Sequence, residues 1–147
     1  MPEYTEDAKV YGEIDRKQMK VLIADDSAIM REHLTDALSG YSRIEIVGEA
    51  VNGQQALESV RRLAPDVVIL DIRMPDGNGI EVLEQLKKSE GPPVVIMFTN
   101  YPFPQYRNKC REVGAEYFFE KSSESHKVIE TLEALADKFD LRDTTGL

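Results

Sequence analysis

An α/β fold with a parallel sheet is the prediction from this sequence, and two patterns along the chain lead to it. Three short runs are continuously apolar, as is typical of strands covered on both faces; they span residues 21–24, 67–70 and 94–98. Two further strand-like runs and five segments with apolar residues at helical spacing alternate with them. Strands and helices that alternate in this way form a parallel sheet with right-handed crossovers and helices on both faces.

The composition excludes several classes of protein. A chain of 147 residues has room for one domain with a hydrophobic core, and its formal net charge of −9 would repel nucleic-acid phosphates. No stretch approaches the roughly 20 apolar residues of a membrane-spanning helix, and residues 1–20 lack the apolar block of a secretory signal. The single cysteine, Cys110, cannot form an internal disulfide. We therefore expect a cytoplasmic protein with no direct nucleic-acid partner and no membrane insertion.

The first third of the chain contains an extension, a buried strand, a helix and an edge strand. Residues 1–19 carry few apolar side chains and have the composition of a partly disordered extension. A buried strand over residues 20–24 is followed by apolar residues at helical spacing over residues 29–38. Residues 44–50 begin with apolar and charged residues in alternation, which favours a half-solvated strand at the edge of the sheet.

Cap and turn signals delimit the middle of the chain. Asn52 with Gln55, and Asn78 with Glu81, have the spacing of reciprocal N-terminal caps, so each pair predicts the start of a helix. Proline or glycine follows each of these helices and ends it. The most apolar strand, residues 67–70, lies between the two helices and is expected in the centre of the sheet.

The last third contains two strands and two helices. The apolar strand over residues 94–98 leads through a loop rich in proline and aromatic residues, 100–104, into a short helix. Residues 115–120 form the last strand, and an amphipathic helix closes the domain. The globular domain is thus predicted to span residues 20–139, and residues 140–147 form a short polar tail.

Five polar side chains stand at or directly after the ends of the predicted strands. The first strand is followed by Asp25 and Asp26, the third by Asp71, the fourth by Thr99 and the last by Lys121. Because the carboxyl ends of parallel strands meet at one edge of a sheet, we expect these side chains to converge. Three neighbouring carboxylates repel each other unless a cation joins them, and Mg²⁺ prefers such oxygen ligands.

The same groups suit the transfer of a phosphoryl group. Asp71 is the candidate nucleophile, and it would form an acyl phosphate. Lys121 offers a point charge, and Thr99 a hydroxyl donor, for the phosphoryl oxygens. Together with Mg²⁺, these groups would neutralise the charge that develops on the transferred group.

This arrangement resembles the response-regulator receiver domain of two-component signalling. The resemblance rests on residues in the same order at successive strand ends: Asp25-Asp26, the stretch Asp71-x-x-Met74-Pro75-Asp76-Gly77, Thr99 and Lys121. It covers about residues 20–139, nearly all of the predicted globular part. It implies a flavodoxin-like (βα)5 three-layer fold with strand order 2-1-3-4-5, in agreement with the edge position predicted for the second strand.

The resemblance implies a phosphoacceptor and a metal site. Asp71 would accept the phosphoryl group. Asp25, Asp26 and Asp71 would bind Mg²⁺, together with the backbone carbonyl of Arg73.

It also implies a phosphoryl-binding set and a switch. Thr99, Lys121 and the backbone of Asn100 would bind the phosphoryl oxygens. Thr99 would move toward the phosphoryl group, and Phe118 would turn inward when it does.

The function that the resemblance implies is a phosphorylation-controlled switch in signalling. A histidine kinase or phosphotransfer protein would donate the phosphoryl group, and the surface of the fourth helix, fifth strand and fifth helix would bind a downstream protein. Such a domain is not expected to be an enzyme, beyond catalysing its own phosphorylation and dephosphorylation. Whether it forms a homodimer is left open.

Several positions depart from the commonest pattern of the family. Asn100 stands where Ala or Gly is usual. Ser122 stands where Pro is usual, which resembles receivers that carry a helix-turn-helix output domain; whether such a domain was separated from this chain is left open. Arg73 and Tyr101 flank the expected acyl phosphate and are predicted to slow its hydrolysis.

Two other functions were weighed against the switch. Asn100 and the proline-rich loop after it are the features that favour an adaptor with a receiver fold that signals without phosphorylation. A phosphatase or phosphomutase would also form an aspartyl phosphate. Those enzymes have a second acid two residues after the nucleophile, where this chain has Arg73, so that function is disfavoured.

Overall fold

The structure, a computed structural model, describes residues 17–145, with side chains up to residue 139. The main strands are β1 (Met19–Ala24), β2 (Ile44–Ala50), β3 (Val67–Leu70), β4 (Val94–Thr99) and β5 (Tyr117–Glu120). The helices are α1 (Ala28–Leu38), α2 (Gly53–Leu63), α3 (Gly79–Lys88), α4 (Pro104–Val113) and α5 (Ser125–Thr145). Between β3 and α3, a short hairpin pairs Arg73–Met74 with Gly77–Asn78.

The five main strands form one parallel sheet in the order β2-β1-β3-β4-β5. This order confirms the predicted flavodoxin-like (βα)5 fold and the position of the alternating strand at an edge. β3 lies in the centre and is buried along its whole length, whereas the middle of β2 is partly exposed. Continuous apolar sequence thus marks the strand with neighbours and helices on all sides.

Two hydrophobic layers cover the two faces of the sheet. In one layer, side chains of the sheet pack against α2, α3 and α4, among them Val68, Met97, Leu83 and Cys110. In the other, they pack against α1 and α5, among them Ile69, Phe98, Leu34 and Leu132. Each fully buried aliphatic or aromatic side chain stabilises the fold by about 1.5–3 kcal/mol, so the two layers hold the strand ends in fixed positions.

Side-chain caps fix where the helices begin. Asn52 accepts a hydrogen bond from the backbone N–H of Gln55 (2.8 Å), and Asn78 accepts one from that of Glu81 (3.0 Å), so both predicted helix starts and their asparagine caps are confirmed. The reciprocal bond differs from the prediction at Gln55, whose side chain accepts from the N–H of Val51 (3.0 Å). Ser27 caps α1 in the same way through the N–H of Met30 (3.2 Å). The caps at Ser27 and Asn78 also end the loops that follow β1 and β3, where the predicted site lies.

Ile29 departs from the prediction for α1. The sequence pattern included it among the apolar residues of this helix, but its side chain is 82% exposed. Successive helix residues are rotated by about 100°, so Ile29 lies roughly 140° around the helix from Leu34, which is buried. Apolar spacing alone did not separate the two faces of the first turn.

The ends of the chain were only partly predicted. α5 continues to Thr145, so residues 140–145, predicted as a polar tail, belong to a helix. Residues 1–16, most of the predicted extension, and residues 146–147 lie outside the described residues. Within residues 17–145, none of the helices has the length and apolar character that would be needed to cross a membrane.

Candidate functional site

The carboxyl ends of the five parallel strands form one edge of the sheet, and backbone hydrogen bonds fix its geometry. The N–H of Asp25 donates to the carbonyl of Ala50 (2.9 Å), and the N–H of Asp71 donates to that of Ala24 (3.0 Å). On the other side, the N–H of Lys121 donates to the carbonyl of Thr99 (2.9 Å). The residues predicted to converge therefore do follow neighbouring strand ends.

Lys121 joins two buried carboxylates at this edge. Its Nζ lies 2.6 Å from Oδ2 of Asp25 and 2.8 Å from Oδ2 of Asp71. The three side chains are between 3% and 7% exposed, so water screens these contacts poorly. The ammonium group thus holds both carboxylates in place at the carboxyl ends of β1 and β3.

The third carboxylate completes a site suited to a metal ion. Oxygen atoms of Asp25, Asp26 and Asp71 all lie within 4.8 Å of one another, and Asp26 is the exposed member. Oδ1 of Asp71 is buried and has no hydrogen-bond partner in the structure. A buried carboxylate oxygen without a partner is costly, so a cation bound to this atom would be favourable. The donor set, all oxygen and net negative even with Lys121 included, fits a hard divalent ion such as Mg²⁺.

Burial and pairing shift the ionisation of the two groups in the Asp25–Lys121 contact. Burial raises the pKa of the Asp25 carboxyl, against the opposing effect of hydrogen bonds from Lys121 and from the N–H of Ser27. Burial by itself would lower the pKa of the Lys121 ammonium, but the hydrogen bonds and charges of Asp25 and Asp71 outweigh it, so that pKa is raised. Lys121 is therefore charged at neutral pH. A cation bound beside Asp25 would favour the ionised form of the Asp25 carboxyl.

Thr99 and Asn100 lie at the end of β4, next to β3 in the sheet. Thr99 is fully buried, and its hydroxyl oxygen accepts a hydrogen bond from the N–H of Tyr101 (3.2 Å). Asn100 is exposed. The threonine hydroxyl can still donate its proton, as the predicted contact with a phosphoryl oxygen requires.

The loop after Asp71 packs so tightly that one position must be glycine. The N–H of Gly79 donates to the carbonyl of Ile72 (2.6 Å), and a Cβ on Gly79 would lie 2.0 Å from the carbonyl oxygen of Asp71. The sequence analysis did not single out Gly79. No local pattern in the sequence indicates how closely the start of α3 approaches the end of β3.

Arg73 and Tyr101 come from different loops and meet beside the site. The guanidinium carbon of Arg73 lies 4.4 Å from the centroid of the Tyr101 ring, a cation–π geometry. Each was predicted separately as a neighbour of the acyl phosphate. Their contact joins the loop after β3 to the loop after β4.

Two further arginines contact site residues and were missed by sequence reasoning. Arg31 donates from NH1 to the carbonyl of Asp25 (2.8 Å) and from Nε to Glu49 (2.7 Å), and so joins α1 to the ends of β1 and β2. Arg107 lies over the ring of the half-buried Phe118. Both contacts depend on three-dimensional proximity, and no motif spacing indicated them.

A family model for the response regulator receiver domain matches residues 21–133. The chain belongs to the response regulator receiver domain family. The resemblance drawn from the strand-end residues is thereby confirmed.

Solved receiver structures share this fold. The signal receiver domain of NarL from Mycobacterium tuberculosis superposes with a TM-score of 0.75 at 30% identity and covers 82% of this chain and 98% of that chain. A chain of the CheX–CheY–BeF3–Mg²⁺ complex from Borrelia burgdorferi gives a TM-score of 0.74 at 27% identity, with 81% of this chain and 90% of that chain covered.

The curated relatives correct one prediction. A protein-glutamate methylesterase/protein-glutamine glutaminase of Geobacillus kaustophilus is 47% identical over 81 residues, which are 55% of this chain and 23% of that protein. Further relatives bear the same enzyme name, and the chain spans 30% to 31% of their length. The prediction that the protein is not an enzyme was wrong as a general statement, because receiver domains similar to this one occur within enzymes. The aligned receiver part alone supplies no such catalysis.

Proposed function

We propose that this receiver domain is a phosphorylation-controlled switch that accepts a phosphoryl group on Asp71. The observation that carries the proposal is the asymmetry of the Asp71 carboxylate. One oxygen is held by Lys121 at 2.8 Å, and the other is buried without a partner. Such a carboxylate is oriented for reaction and has an oxygen available to a metal ion or to phosphorus.

The donor would be a phosphohistidine of a histidine kinase or phosphotransfer protein. An oxygen of Asp71 attacks the phosphorus, the O–P bond of an acyl phosphate forms, and the P–N bond to the imidazole breaks. The imidazole keeps the bonding electrons and takes up a proton as it leaves. Since the phosphodonor domains of such kinases are cytoplasmic, the protein would act in the cytoplasm.

The residues around Asp71 would stabilise the transferred group. Asp25, Asp26 and Asp71, with the backbone carbonyl of Arg73, would hold Mg²⁺, which supplies positive charge at the phosphoryl oxygens when bound. Lys121 would turn from the Asp25–Asp71 pair toward a phosphoryl oxygen.

Two groups at the end of β4 would bind the other phosphoryl oxygens. The Thr99 hydroxyl donates one hydrogen bond and the backbone N–H of Asn100 a second, in a site that is mostly electrostatic and pre-arranged. Thr99 is buried, so its movement toward the phosphoryl group leaves a space in the core.

Phe118 is placed to respond to that movement. Phe118 of β5 is paired with Met97 of β4, and Thr99 lies two residues further along β4 on the same face of the sheet. We infer that the Phe118 ring turns toward the space that Thr99 leaves. The change would alter the surface of α4, β5 and α5 and so its affinity for a downstream protein.

The test is phosphorylation by acetyl phosphate with Mg²⁺, followed on a phosphate-affinity gel. Native protein should give a shifted band, which Asp71→Asn and removal of Mg²⁺ with EDTA should both abolish. Asp76→Asn is the matched control, because it makes the same change at an exposed position nearby whose φ of 64° asparagine tolerates.

A lack of shift in native protein, with acetyl phosphate and with a panel of histidine kinases, would contradict the proposal. It would favour the phosphorylation-independent adaptor instead. Two observations favour the adaptor: the Arg73–Tyr101 contact beside the site and the exposed Asn100. In that case Asp71→Asn and native protein should bind the downstream protein equally.

A further inference from the structure

The ring of Phe118 has a cation over its face. The guanidinium carbon of Arg107 lies 4.5 Å from the ring centroid, and NH1 of Arg107 donates a long hydrogen bond of 3.5 Å to the Phe118 carbonyl. Arg107 is exposed on α4, and Phe118 is half-buried in β5. A single arginine therefore contacts both the ring and the backbone of the same residue.

This contact opposes an inward turn of the ring. Phe118 packs against the core layer that contains Met97 and Cys110, on the face of the sheet that also carries Thr99. A cation–π contact requires the cation within about 6 Å of the ring centroid. A turn of the ring toward Thr99 takes it away from Arg107 and breaks the contact.

The neighbouring basic residues of α4 do not share this role. NH2 of Arg111 donates to Oδ1 of Asn108 at 2.7 Å, within the same helix. Nζ of Lys109 lies 3.8 Å from a carboxylate oxygen of Glu84 on α3. Of the three, only Arg107 lies over the Phe118 ring among the described residues.

We propose that Arg107 is a positioning residue that holds Phe118 in its resting orientation and thereby sets the balance between the two forms of the switch. The inference rests on the proposed function in one respect, the inward turn of Phe118. Arginine suits this role because its planar guanidinium can stack on a ring and donate a hydrogen bond at the same time. An exposed cation–π contact of this kind shifts an equilibrium by roughly two- to five-fold.

The experiment compares Arg107→Gln, Arg107→Lys and Arg111→Gln with native protein by NMR. Phenylalanine rings and threonine methyl groups are isotope-labelled, and Phe118→Leu and Thr99→Ser assign the two signals of interest. The readout is the nuclear Overhauser contact between the Phe118 ring and the Thr99 methyl group, measured without any phosphodonor. Urea unfolding of each variant checks that the fold is intact.

Arg107→Gln should raise the inward population roughly two- to five-fold, seen as a stronger contact between the ring and the Thr99 methyl group. Arg107→Lys should give a smaller increase, because it keeps the charge but not the planar stack. Arg111→Gln should match native protein. If Arg107→Gln matches native protein, or if both Gln variants change alike, Arg107 does not position the ring.

A second arm separates this inference from the proposed function. The same spectra are recorded with BeF3⁻ and Mg²⁺, which supply a tetrahedral group in place of the phosphoryl group. One outcome is that BeF3⁻ and Mg²⁺ do not move the ring in native protein, whereas the Arg107→Gln substitution moves it without them. The proposed switch then fails and the positioning role stands. If native protein responds and Arg107→Gln starts from the native ring position, the switch stands and the positioning role fails.

Discussion

At the scale of single residues, Lys121 determines the charge balance of the site. Its ammonium lies between Asp25 and Asp71, at 2.6 Å and 2.8 Å, and all three side chains are buried. Burial raises the pKa of Asp25, so this carboxyl ionises at a cost that the lysine offsets only in part. Because the pKa of Asp25 is higher in the folded than in the unfolded protein, its ionisation lowers the stability of the fold. This loss of stability appears as the pH rises from the unfolded-state pKa through the folded-state pKa. Above the folded-state pKa, Lys121 compensates part of the cost of the ionised Asp25, and a bound cation would compensate more.

Lys121→Ala should therefore destabilise the protein strongly when no divalent ion is present. We expect a loss of about 3 kcal/mol in the free energy of unfolding, because two buried carboxylates lose their partner. Mg²⁺ should restore part of the loss. The measurement is urea unfolding at neutral pH with EDTA and with Mg²⁺.

Lys127→Ala is the control for Lys121→Ala, since Lys127 pairs with Glu124 at 2.9 Å on the surface. Its effect should stay below about 1 kcal/mol. Equal effects of the two variants, or no response of Lys121→Ala to Mg²⁺, would show that Lys121 does not neutralise a metal-binding cluster.

At the scale of elements, two loops at the carboxyl edge form the surroundings of Asp71. The loop after β3 closes onto α3 through Gly79, and the loop after β4 meets it through the Arg73–Tyr101 contact. Prediction from sequence found the Asn78 cap at the end of the first loop and the proline-rich composition of the second, because those signals are local. It could not find the approach of Gly79 to the backbone of Asp71, which depends on how α3 packs.

Gly79→Ala should distort the site loop. The new Cβ would lie 2.0 Å from the carbonyl oxygen of Asp71, and backbone on both sides leaves little room to relax. We expect a loss of about 3 kcal/mol in the free energy of unfolding. Gly40→Ala is the matched control, because a Cβ there meets nothing within 4 Å. A Gly79→Ala variant as stable as Gly40→Ala would contradict the packing described for this loop.

Tyr101→Ala should shorten the lifetime of the acyl phosphate. Loss of the Arg73 contact opens the side of the site where the two loops meet, and the hydrolysis rate should rise roughly five-fold, the equivalent of one cation–π contact. The measurement is phosphate release from phosphorylated protein. Tyr106→Ala is the control, since that ring makes an edge-to-face contact with Phe103 instead. Equal lifetimes in native protein and Tyr101→Ala would show that this contact does not shield the acyl phosphate.

At the scale of the whole molecule, the sheet topology brings the distant parts of the site together. Asp25, Asp71, Thr99 and Lys121 follow different strands, and the parallel order β2-β1-β3-β4-β5 places these strand ends side by side. The resemblance to receiver domains implied this order. The apolar runs predicted which strands are central and which lies at the edge, because a strand covered on both faces is continuously apolar. Ile29 was misplaced because apolar spacing did not separate the two faces of the first turn of α1. The contacts of Arg31 and Arg107 were not foreseen, because periodicity does not record which side chains meet across elements.

Chemical mapping of the modified aspartate can show whether Asp71 accepts the phosphoryl group. Protein treated with acetyl phosphate and Mg²⁺ is reduced with borohydride, which converts an aspartyl phosphate to homoserine, and peptides are sequenced by mass spectrometry. We expect homoserine at position 71 and unmodified aspartate at Asp25, Asp26 and Asp76. Modification at another aspartate, or none under conditions that phosphorylate a control receiver, would contradict that role of Asp71.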